Sequence, residues 1–372
     1  MWKPAATVSV LALLLPLTSC AADETVAPLP SGEVELIRDG LGITHVHAKT
    51  ERDAFYGAGY AMARDRLFQM ELIRRQALGR SAELFGERSR KADIGARTFG
   101  FARLGEQDEA RGRRERPEDM SALDAWVAGV NQRIAEVSDG RAPRPYGLRA
   151  TELDFVPEPW KAADATGVGK LLAFGLSSSL DAEILATALL NLAPGLMKRV
   201  PIFQPAFDDV HPMAPASGGP RAKAPNIPAQ AARALPDAFP AGFMRGARAW
   251  PDRPMGSNNW GVTAAKSTNG RPILAGDPHQ PLTSPTRLYP IDIRADSGLS
   301  VSGFSFVGTP AIELGHTDRV GWTATTNFAD VMDMWDVTLS PDESELTLGD
   351  GPHAIRHRKD TLLVRRDRKS VV

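Results

Sequence analysis

The spacing of apolar residues changes from helical to strand-like along this chain. Residues 34–48 are rich in β-branched side chains around a turn signal, which predicts two short strands. Thr50 followed by Asp53 predicts a capped helix start. The long helix that follows is predicted to stop at Gly79, with a second stop at Gly86, and to carry Phe55, Ala58, Met62, Phe68, Leu72 and Ile73.

Helical patterns continue to residue 193, and a different composition follows. Residues 87–116 mix arginine and lysine with acids and predict a solvated helical face. Apolar periodicity predicts further helices at 118–137 and 161–193. Between 201 and 256 prolines recur among alanines and glycines, and such a segment holds neither a helix nor a central strand. We therefore predict a linker over 201–256.

Strand-like patterns dominate from Ser257 onward. The run NNWGVTAAKSTNGRPILAGD has two apolar stretches around Asn269-Gly270, which is a strong hairpin signal. A two-residue turn there would pair Ser257 with position 282 and leave His279 on the opposite face. Both side chains would then point into one pocket only across a bulge or a longer loop. Further strands are predicted at 288–294, 299–307, 319–326 and in the final run DTLLVRRDRKSVV.

Composition and charge narrow the class of protein. The 372 residues are 42% hydrophobic and 24% charged, which is typical of a globular chain. This length suffices for roughly two domain-sized cores. Lys and Arg number 44 against 45 Asp and Glu, a net charge of −1, so nothing favours a polyanionic partner. Nucleic acid is therefore not an expected partner.

The first twenty residues have the organisation of a secretory signal. One early lysine precedes an apolar run, Val8 to Leu17, that is too short to span a bilayer. The following Cys20 ends a Leu-Thr-Ser-Cys sequence that resembles the lipobox of bacterial lipoproteins. We expect an exported, periplasmic protein that contacts the membrane only through a lipid on Cys20, with residues 21–32 as a tether. The alternative is plain cleavage nearby, with Cys20 discarded; as the only cysteine, it forms no internal disulfide.

The Gly256-Ser257 step lies between the predicted linker and the first strand after it. A serine at such a boundary is ordinarily a turn or cap residue. A chemical alternative exists, because attack of the Ser257 hydroxyl on the Gly256 carbonyl gives an ester whose hydrolysis leaves Ser257 as a new N-terminus. Its α-amino group, with a pKa of about 7.7 to 8.0, can then take the hydroxyl proton, so that one residue supplies both nucleophile and base.

Three separated blocks resemble one known family, in the family's order. They are DGLGITHVHAKTERDAFYGAGYAMARDRLFQMELIRRQALGRSAELFG at 39–86, GSNNW with the following NGRPILAGDPH, and GHTDRVGWTATTNFADVMDMW at 315–335. Together they are similar to the penicillin acylase family of N-terminal nucleophile hydrolases. The resemblance implies an α+β fold, an αββα sandwich with a mainly helical α-chain segment wrapped around it. It also implies hydrolysis of the amide bond of a small-molecule N-acyl substrate.

The same resemblance implies that one precursor is processed into an α/β heterodimer. Residues 33–200 correspond to the α-chain segment, 201–256 to a linker that is at least partly excised, and 257–372 to the start of the β chain. The C-terminal part of the β chain is expected to be missing, because the family places a second oxyanion donor, an asparagine side chain, beyond the position of Val372. A truncated, catalytically incompetent lipoprotein is therefore an alternative to an active hydrolase.

The resemblance assigns the site residues position by position. Ser257 matches the nucleophile, and Gly256 the residue on the other side of the scissile bond. Asn258 follows the nucleophile as it does across the family. His279 matches a histidine that many members place near the serine amine, and the backbone N–H of Thr326 matches one donor to the tetrahedral oxyanion.

A structural calcium site that bridges the α and β segments is a further implication. Carboxylate and carbonyl oxygens are the ligands that Ca²⁺ prefers. The matching ligands are Glu183 in the α-chain segment and, in the β chain, Asp330, Asp333 and the Met332 carbonyl. Without the resemblance, two aspartates three residues apart predict only a polar loop.

A few positions bear on specificity and on rival chemistries. A β-lactam-type acylase is expected, but Leu176-Ser177 stands where penicillin G acylases have an Arg-Phe pair, which disfavours a phenylacetyl pocket. His279 resembles members that cleave glutaryl-cephalosporins, acyl-homoserine lactones or lipopeptides, so these acylases remain alternatives. No G-x-S-x-G elbow supports an α/β-hydrolase. Four histidines lack the companions of a zinc motif: His45, His47, His353 and His357.

Overall fold

The computed structural model describes residues 32–177, 257–281, 283–325, 337–348 and 351–366. Within these ranges the helices are α1 Glu51–Leu78, α2 Ala82–Phe85, α3 Arg90–Phe99, α4 Phe101–Glu115, α5 Pro117–Ser138 and α6 Ala162–Leu176, with 3-10 turns at Gly86–Ser89 and Ala264–Lys266. The strands are β1 Val34–Arg38, β2 Thr44–Ala48, β3 Ser257–Val262, β4 Ile273–Pro278, β5 Leu288–Ala295, β6 Ser300–Phe306, β7 Ile312–His316, β8 Gly321–Trp322, β9 Thr338–Leu339, β10 Glu345–Leu348 and β11 Gly351–Ala354. This mixture of helices and sheets confirms the predicted α+β class.

Helix α1 begins and ends where the sequence predicts. The Thr50 side chain accepts a hydrogen bond from the Asp53 backbone N–H at 3.1 Å, which satisfies a donor of the first turn that has no partner within the helix. Gly79 ends the helix in the left-handed conformation, with φ of 62°, which glycine adopts without the steric cost of a Cβ. Local chemistry alone therefore explains both ends of this helix.

The other predicted helices are present as far as they are described. α5 covers the predicted segment 118–137, and α6 begins the segment 161–193, of which residues 178–193 lie outside the described ranges. The charged segment 87–116 forms α3 and α4, and most of its charged side chains are exposed, as predicted. None of the described helices is both long and apolar enough to cross a membrane.

The main sheet joins the parts of the chain before and after the proline-rich segment. Its strand order is β1-β2-β5-β6-β7-β8. β2 runs parallel to β5, with Thr44 opposite Ile291, while the other neighbours are antiparallel. Val46, Ile291 and Ile293 are buried in the hydrophobic core on the helical side of the sheet, and α1 contacts both β2 and β5. A parallel strand pair and its buried face thus hold the two parts of the chain together.

Strands β3 and β4 confirm the predicted hairpin but not a two-residue turn. Ser257 lies opposite Pro278, and Val262 lies opposite Ile273. The connection spans residues 263–272, where Asn269 Oδ1 accepts a hydrogen bond from the Arg271 backbone N–H at 2.9 Å. Asn269 and Gly270 therefore form a local turn within a longer loop. The Asn269 side chain closes that turn but does not set the register of the two strands.

Predictions for the later strands are confirmed in part. β5 and β6 match the runs at 288–294 and 299–307, whereas the run at 319–326 forms only β8 within the described residues. The short strand β7 was not predicted, and a register shift between Phe304 and Ser305 accompanies its pairing with β6. Such an irregularity breaks the alternation on which sequence patterns depend.

The strand predicted in the final run is wrong over the described residues 360–366. This segment has no continuous ladder and instead lies along the helices. The Arg365 backbone N–H donates to the Ala82 carbonyl at 2.9 Å, and Arg97 Nη1 donates to the Thr361 carbonyl at 2.7 Å. Because α2 and α3 offer hydrogen-bond partners there, the segment docks as an extended chain without joining a sheet.

Candidate active site

Ser257 is the first residue of β3 and is partly buried. It lies opposite Pro278, the last residue of β4. Proline has no backbone N–H, so the ladder cannot supply a hydrogen bond to the Ser257 carbonyl from this position. A protein donor to this carbonyl therefore comes from outside the β3-β4 ladder.

Thr325 supplies that donor from a distant part of the chain. Its hydroxyl Oγ1 donates to the Ser257 carbonyl oxygen at 3.0 Å, across 68 residues of sequence. The neighbouring Thr323 lies directly against β4, because a Cβ added to Gly276 would come within 1.9 Å of Thr323 Oγ1. Sequence reasoning missed Thr325, since neither a motif nor a spacing links it to Ser257.

His279 and Asn258 meet at the same end of the hairpin. His279 Nε2 lies 3.2 Å from Asn258 Nδ2 and 3.1 Å from Asp277 Oδ2. Asn258 and Asp277 are paired residues and share one face of the hairpin, whereas the side chain of Ser257, one residue earlier, points to the other face. The backbone of His279 directly follows Pro278 and so lies beside the start of β3.

In the observed register, the side chains of Ser257 and His279 lie on opposite faces of the hairpin, as they would with a two-residue turn. Ser257 pairs with residue 278 instead of 282, a shift of 282 − 278 = 4 residues. Because side chains alternate with a period of two, an even shift leaves His279 on the face opposite Ser257. The longer loop therefore brings His279 to the nucleophile end of the strand without turning its side chain to the serine face.

The other site predictions fall outside the described residues and stay predictions. They concern the scissile bond, the oxyanion donor, the calcium ligands and the lipid anchor, namely Gly256, Thr326, Glu183, Asp330, Met332, Asp333 and Cys20.

His45 has the densest polar contacts among the histidines considered for zinc. Its Nδ1 lies 3.1 Å from Asp292 Oδ2, and its Nε2 lies 3.1 Å from Asp39 Oδ2. The hydrogen bonds to Asp39 and Asp292 raise the pKa of His45. Arg294 Nε also donates to Asp292, at 3.0 Å. In the described part of the chain, no group of three or more His, Cys, Asp or Glu side chains is arranged to hold a metal ion.

A cavity of about 150 Å³ lies between the helices and one end of the main sheet. Its walls include Ile73 of α1, Leu172 of α6 and Phe306 at the end of β6. Arg287 also lines it, and burial lowers the pKa of this guanidinium to about 10. Among the described residues, Ser257, Asn258 and His279 do not line this cavity.

Comparisons with known proteins show what this chain is similar to. The profile of the penicillin amidase family matches residues 33–372. Penicillin acylase 2 proenzyme of Pseudomonas sp. (strain SE83) is 33% identical over 346 residues, which cover 90% of this chain and 41% of that protein. Acyl-homoserine lactone acylase QuiP of Pseudomonas aeruginosa is 28% identical over 342 residues, which cover 90% of this chain and 38% of that protein.

Among solved structures, the thermostable penicillin G acylase from Alcaligenes faecalis is similar to this chain with a TM-score of 0.41 and 25% identity. The match covers 50% of this chain and 98% of that chain. The chain spans less than half the length of the two curated relatives named above. Because the family profile extends over nearly all of the sequence from residue 33 onward, the chain belongs to the penicillin amidase family.

Proposed function

We propose that this chain is the precursor of an N-terminal nucleophile amidohydrolase that is cut between Gly256 and Ser257. The observation that carries the proposal is the placement of Ser257 at the head of β3, with its carbonyl hydrogen-bonded to the Thr325 hydroxyl at 3.0 Å. A nucleophile needs such an ordered backbone, since small errors in its position cost much of the rate. Membership in the family and the two acylases among the relatives give independent support.

In the proposed cleavage, Ser257 Oγ attacks the Gly256 carbonyl carbon and the peptide nitrogen leaves as the α-amine of Ser257. The resulting ester is then hydrolysed by water, which returns the serine hydroxyl and leaves a carboxylate on Gly256. The same serine next acts on substrate. Its α-amine, with a pKa of about 7.7 to 8.0, is partly unprotonated near neutral pH and takes the hydroxyl proton during attack.

Hydrolysis of the N-acyl substrate follows the same two steps. Ser257 Oγ attacks the amide carbon, the amine product leaves with the proton held by the α-amine, and water then hydrolyses the acyl ester. We assign the Thr326 backbone N–H to the tetrahedral oxyanion. We propose that His279 and Asn258 act at the start of β3, because the Asn258-His279-Asp277 contacts lie at that end of the hairpin.

The substrate class is an amide of a carboxylic acyl group. Named relatives include a penicillin acylase and an acyl-homoserine lactone acylase, and both names describe an N-acyl compound. We propose a β-lactam-type acyl amide as substrate, with an N-acyl-homoserine lactone as the second candidate. Parallel assays that measure release of free amine from penicillin G, a glutaryl-cephalosporin and an N-acyl-homoserine lactone would separate these classes.

The proposal is tested first on the chain itself, by intact mass and N-terminal sequencing after expression in an export-competent host. We expect a fragment that begins Ser-Asn-Asn-Trp. The variant Ser257→Ala should remain uncut, whereas Ser267→Ala, a serine in the loop of the same hairpin, should be cut at the normal rate. Recovery of uncut wild-type chain, or normal cleavage of Ser257→Ala, would contradict the proposal.

Two further proposals rest on the family resemblance and the N-terminal sequence. We propose that Glu183, Asp330, Asp333 and the Met332 carbonyl hold a structural Ca²⁺. Chelation by EGTA should then lower the midpoint of thermal unfolding, and added Ca²⁺ should restore it. An unchanged midpoint would refute the metal.

We also propose that Cys20 carries a lipid that anchors the exported protein in the periplasm. Metabolic labelling with radioactive palmitate should mark the wild-type chain and not Cys20→Ala. A labelled Cys20→Ala chain, or an unlabelled wild-type chain, would contradict the anchor.

A further inference from the structure

The carbonyl of the proposed nucleophile Ser257 accepts a hydrogen bond from a side chain. Thr325 Oγ1 donates to it at 3.0 Å. The residue opposite Ser257 in the hairpin is Pro278, which has no N–H to offer. The backbone orientation of Ser257 thus depends on a hydroxyl group from a separate segment of the chain.

The segment that carries Thr325 is itself held in place. Trp322, in the strand just before it, donates from Nε1 to the Ile312 carbonyl at 2.9 Å. Thr323 packs onto β4 at Gly276, where any Cβ would collide with it. Because these contacts hold Trp322 and Thr323, which lie three and two residues before Thr325, the chain leading to Thr325 has a defined path beside β4.

We infer that Thr325 is a positioning residue for the nucleophile, an inference that rests on the proposed function. Cleavage before Ser257 would turn this residue into a chain terminus, and chain termini fray unless they are tied down. A hydrogen bond to its carbonyl restrains rotation about the Cα–C bond of Ser257 and thereby the directions of the amine and of the Cβ that carries the hydroxyl.

The chain offers a matched control for this hydroxyl. Thr323 stands two residues earlier in the same segment, and its buried Oγ1 has no hydrogen-bond partner among the described residues. Replacing either threonine by valine keeps the β-branched shape and removes only the hydroxyl function. Loss of the Thr325 hydroxyl removes the bond to Ser257, whereas loss of the Thr323 hydroxyl removes no hydrogen bond.

The first experiment measures the rate of cleavage before Ser257 by mass spectrometry in the wild type and three variants. Thr325→Val should be cut about three- to ten-fold more slowly, which is the loss expected for one hydrogen bond. Thr325→Ser, which keeps the hydroxyl, and Thr323→Val should be cut at the wild-type rate. Equal rates for Thr325→Val and the wild type, or equally slow rates for Thr325→Val and Thr325→Ser, would overturn the inference.

A second experiment separates positioning from a loss of folded protein. Cut protein is treated with phenylmethanesulfonyl fluoride, where the Ser257 oxygen bonds to sulfur, fluoride leaves and the α-amine takes the proton. In Thr325→Val the maximal labelling rate should fall about three- to ten-fold, with little change in the reagent concentration at half-maximal rate. A merely structural role would reduce the labelled fraction and leave the rate per folded molecule unchanged.

These outcomes distinguish the inference from the function on which it rests. If the wild type is not cut, or if Ser257→Ala is cut, the proposed function fails and the positioning role falls with it. If the wild type is cut and Ser257→Ala is not, the proposed function stands, and the Thr325 variants alone decide the inference.

Discussion

His45 lies between two carboxylates that come from different parts of the chain. Asp39 belongs to the turn between β1 and β2, and Asp292 belongs to β5. A neutral imidazole has one N–H, so it can donate to only one of them, whereas the imidazolium donates to both. The geometry therefore favours the protonated ring, in agreement with the raised pKa of His45.

The stability contributed by His45 should decrease as the pH rises. Its folded-state pKa is raised above the ordinary value of about 6.5, so the stabilisation is complete below about pH 6.5 and is lost as the pH passes the folded-state pKa. The Asp39 and Asp292 pKa values are lowered, so both carboxylates stay ionised throughout this range. With the His45 side chain 32% exposed, the effect should stay below about 1 kcal/mol.

Urea unfolding of the wild type and His45→Gln at about pH 5.5 and pH 8.5 tests this. The difference in unfolding free energy between the two proteins should be larger at the lower pH. His47→Gln is the control, because His47 approaches Glu35 only to 4.0 Å. A His45→Gln difference that is constant across this pH range would contradict the expectation.

At the scale of elements, α1 and α5 approach each other through two glycines. A Cβ at Gly59 would lie 2.0 Å from the Trp126 carbonyl oxygen, and a Cβ at Gly129 would lie 2.0 Å from the Tyr56 carbonyl oxygen. The obstacles are backbone atoms, which cannot move aside as a flexible side chain does. Helix propensity alone predicts that alanine in place of either glycine would stabilise the protein, since glycine weakens a helix interior by about 1 kcal/mol relative to alanine.

Gly129→Ala should therefore destabilise the protein by about 3 kcal/mol, because separating two packed helices outweighs the gain in helix propensity. The control is Gly169→Ala in α6, where a Cβ would meet no atom of the described residues within 4 Å. That variant should be neutral or slightly stabilising. Denaturant unfolding of both variants checks the prediction, and a Gly129→Ala protein as stable as Gly169→Ala would refute the close helix contact.

At the same scale, a local sequence signal predicted the two strands of the β3-β4 hairpin but not their register. The alternation of apolar residues and the Asn269-Gly270 pair predicted two antiparallel strands, and both are present. They could not predict the register. The pairing of Ser257 with Pro278 depends on a ten-residue connection, and hydrogen bonds from side chains within that connection determine how it closes. β7 escaped prediction for a related reason, since its pairing includes a register irregularity.

At the scale of the whole molecule, contacts across the predicted cleavage site are extensive. β2 and β5 form a parallel ladder from Thr44↔Ile291 to Ala48↔Ala295. The Tyr289 hydroxyl donates to Asp65 at 2.8 Å, and Gln69 Nε2 donates to the Thr286 carbonyl at 2.9 Å. These contacts join a residue that precedes the linker to one that follows it, so they do not depend on the covalent link.

The two fragments should therefore stay associated after cleavage. We expect them to co-elute in size-exclusion chromatography at neutral pH and to separate only in denaturant, because their dissociation would expose the shared apolar core. Ile293→Ala, at a position that is 1% exposed, should lower the urea concentration needed for separation, while Ile37→Ala, 43% exposed, should change it little. Separation of the wild-type fragments on dilution alone would contradict this picture.

The sequence by itself determined the features that local chemistry controls. The Thr50 cap, the Gly79 stop and the hairpin follow from short-range patterns, because each is formed by residues close together in the chain. The Gly256-Ser257 step and the three family blocks likewise identified the proposed nucleophile, since the bond to be cut and the α-amine that would serve as base both belong to this pair of neighbouring residues.

Only the tertiary structure decided which distant residues meet. It placed Thr325 against the Ser257 carbonyl, set His279 beside Asn258 and Asp277, and joined β2 to β5 across the linker. Such contacts depend on the packing of a common core and on strand register, and in the β3-β4 hairpin a ten-residue connection sets that register, so the spacing of apolar residues alone does not predict them. The proposed nucleophile can thus be identified from a short stretch of sequence, while the residues that position it are known only from the fold.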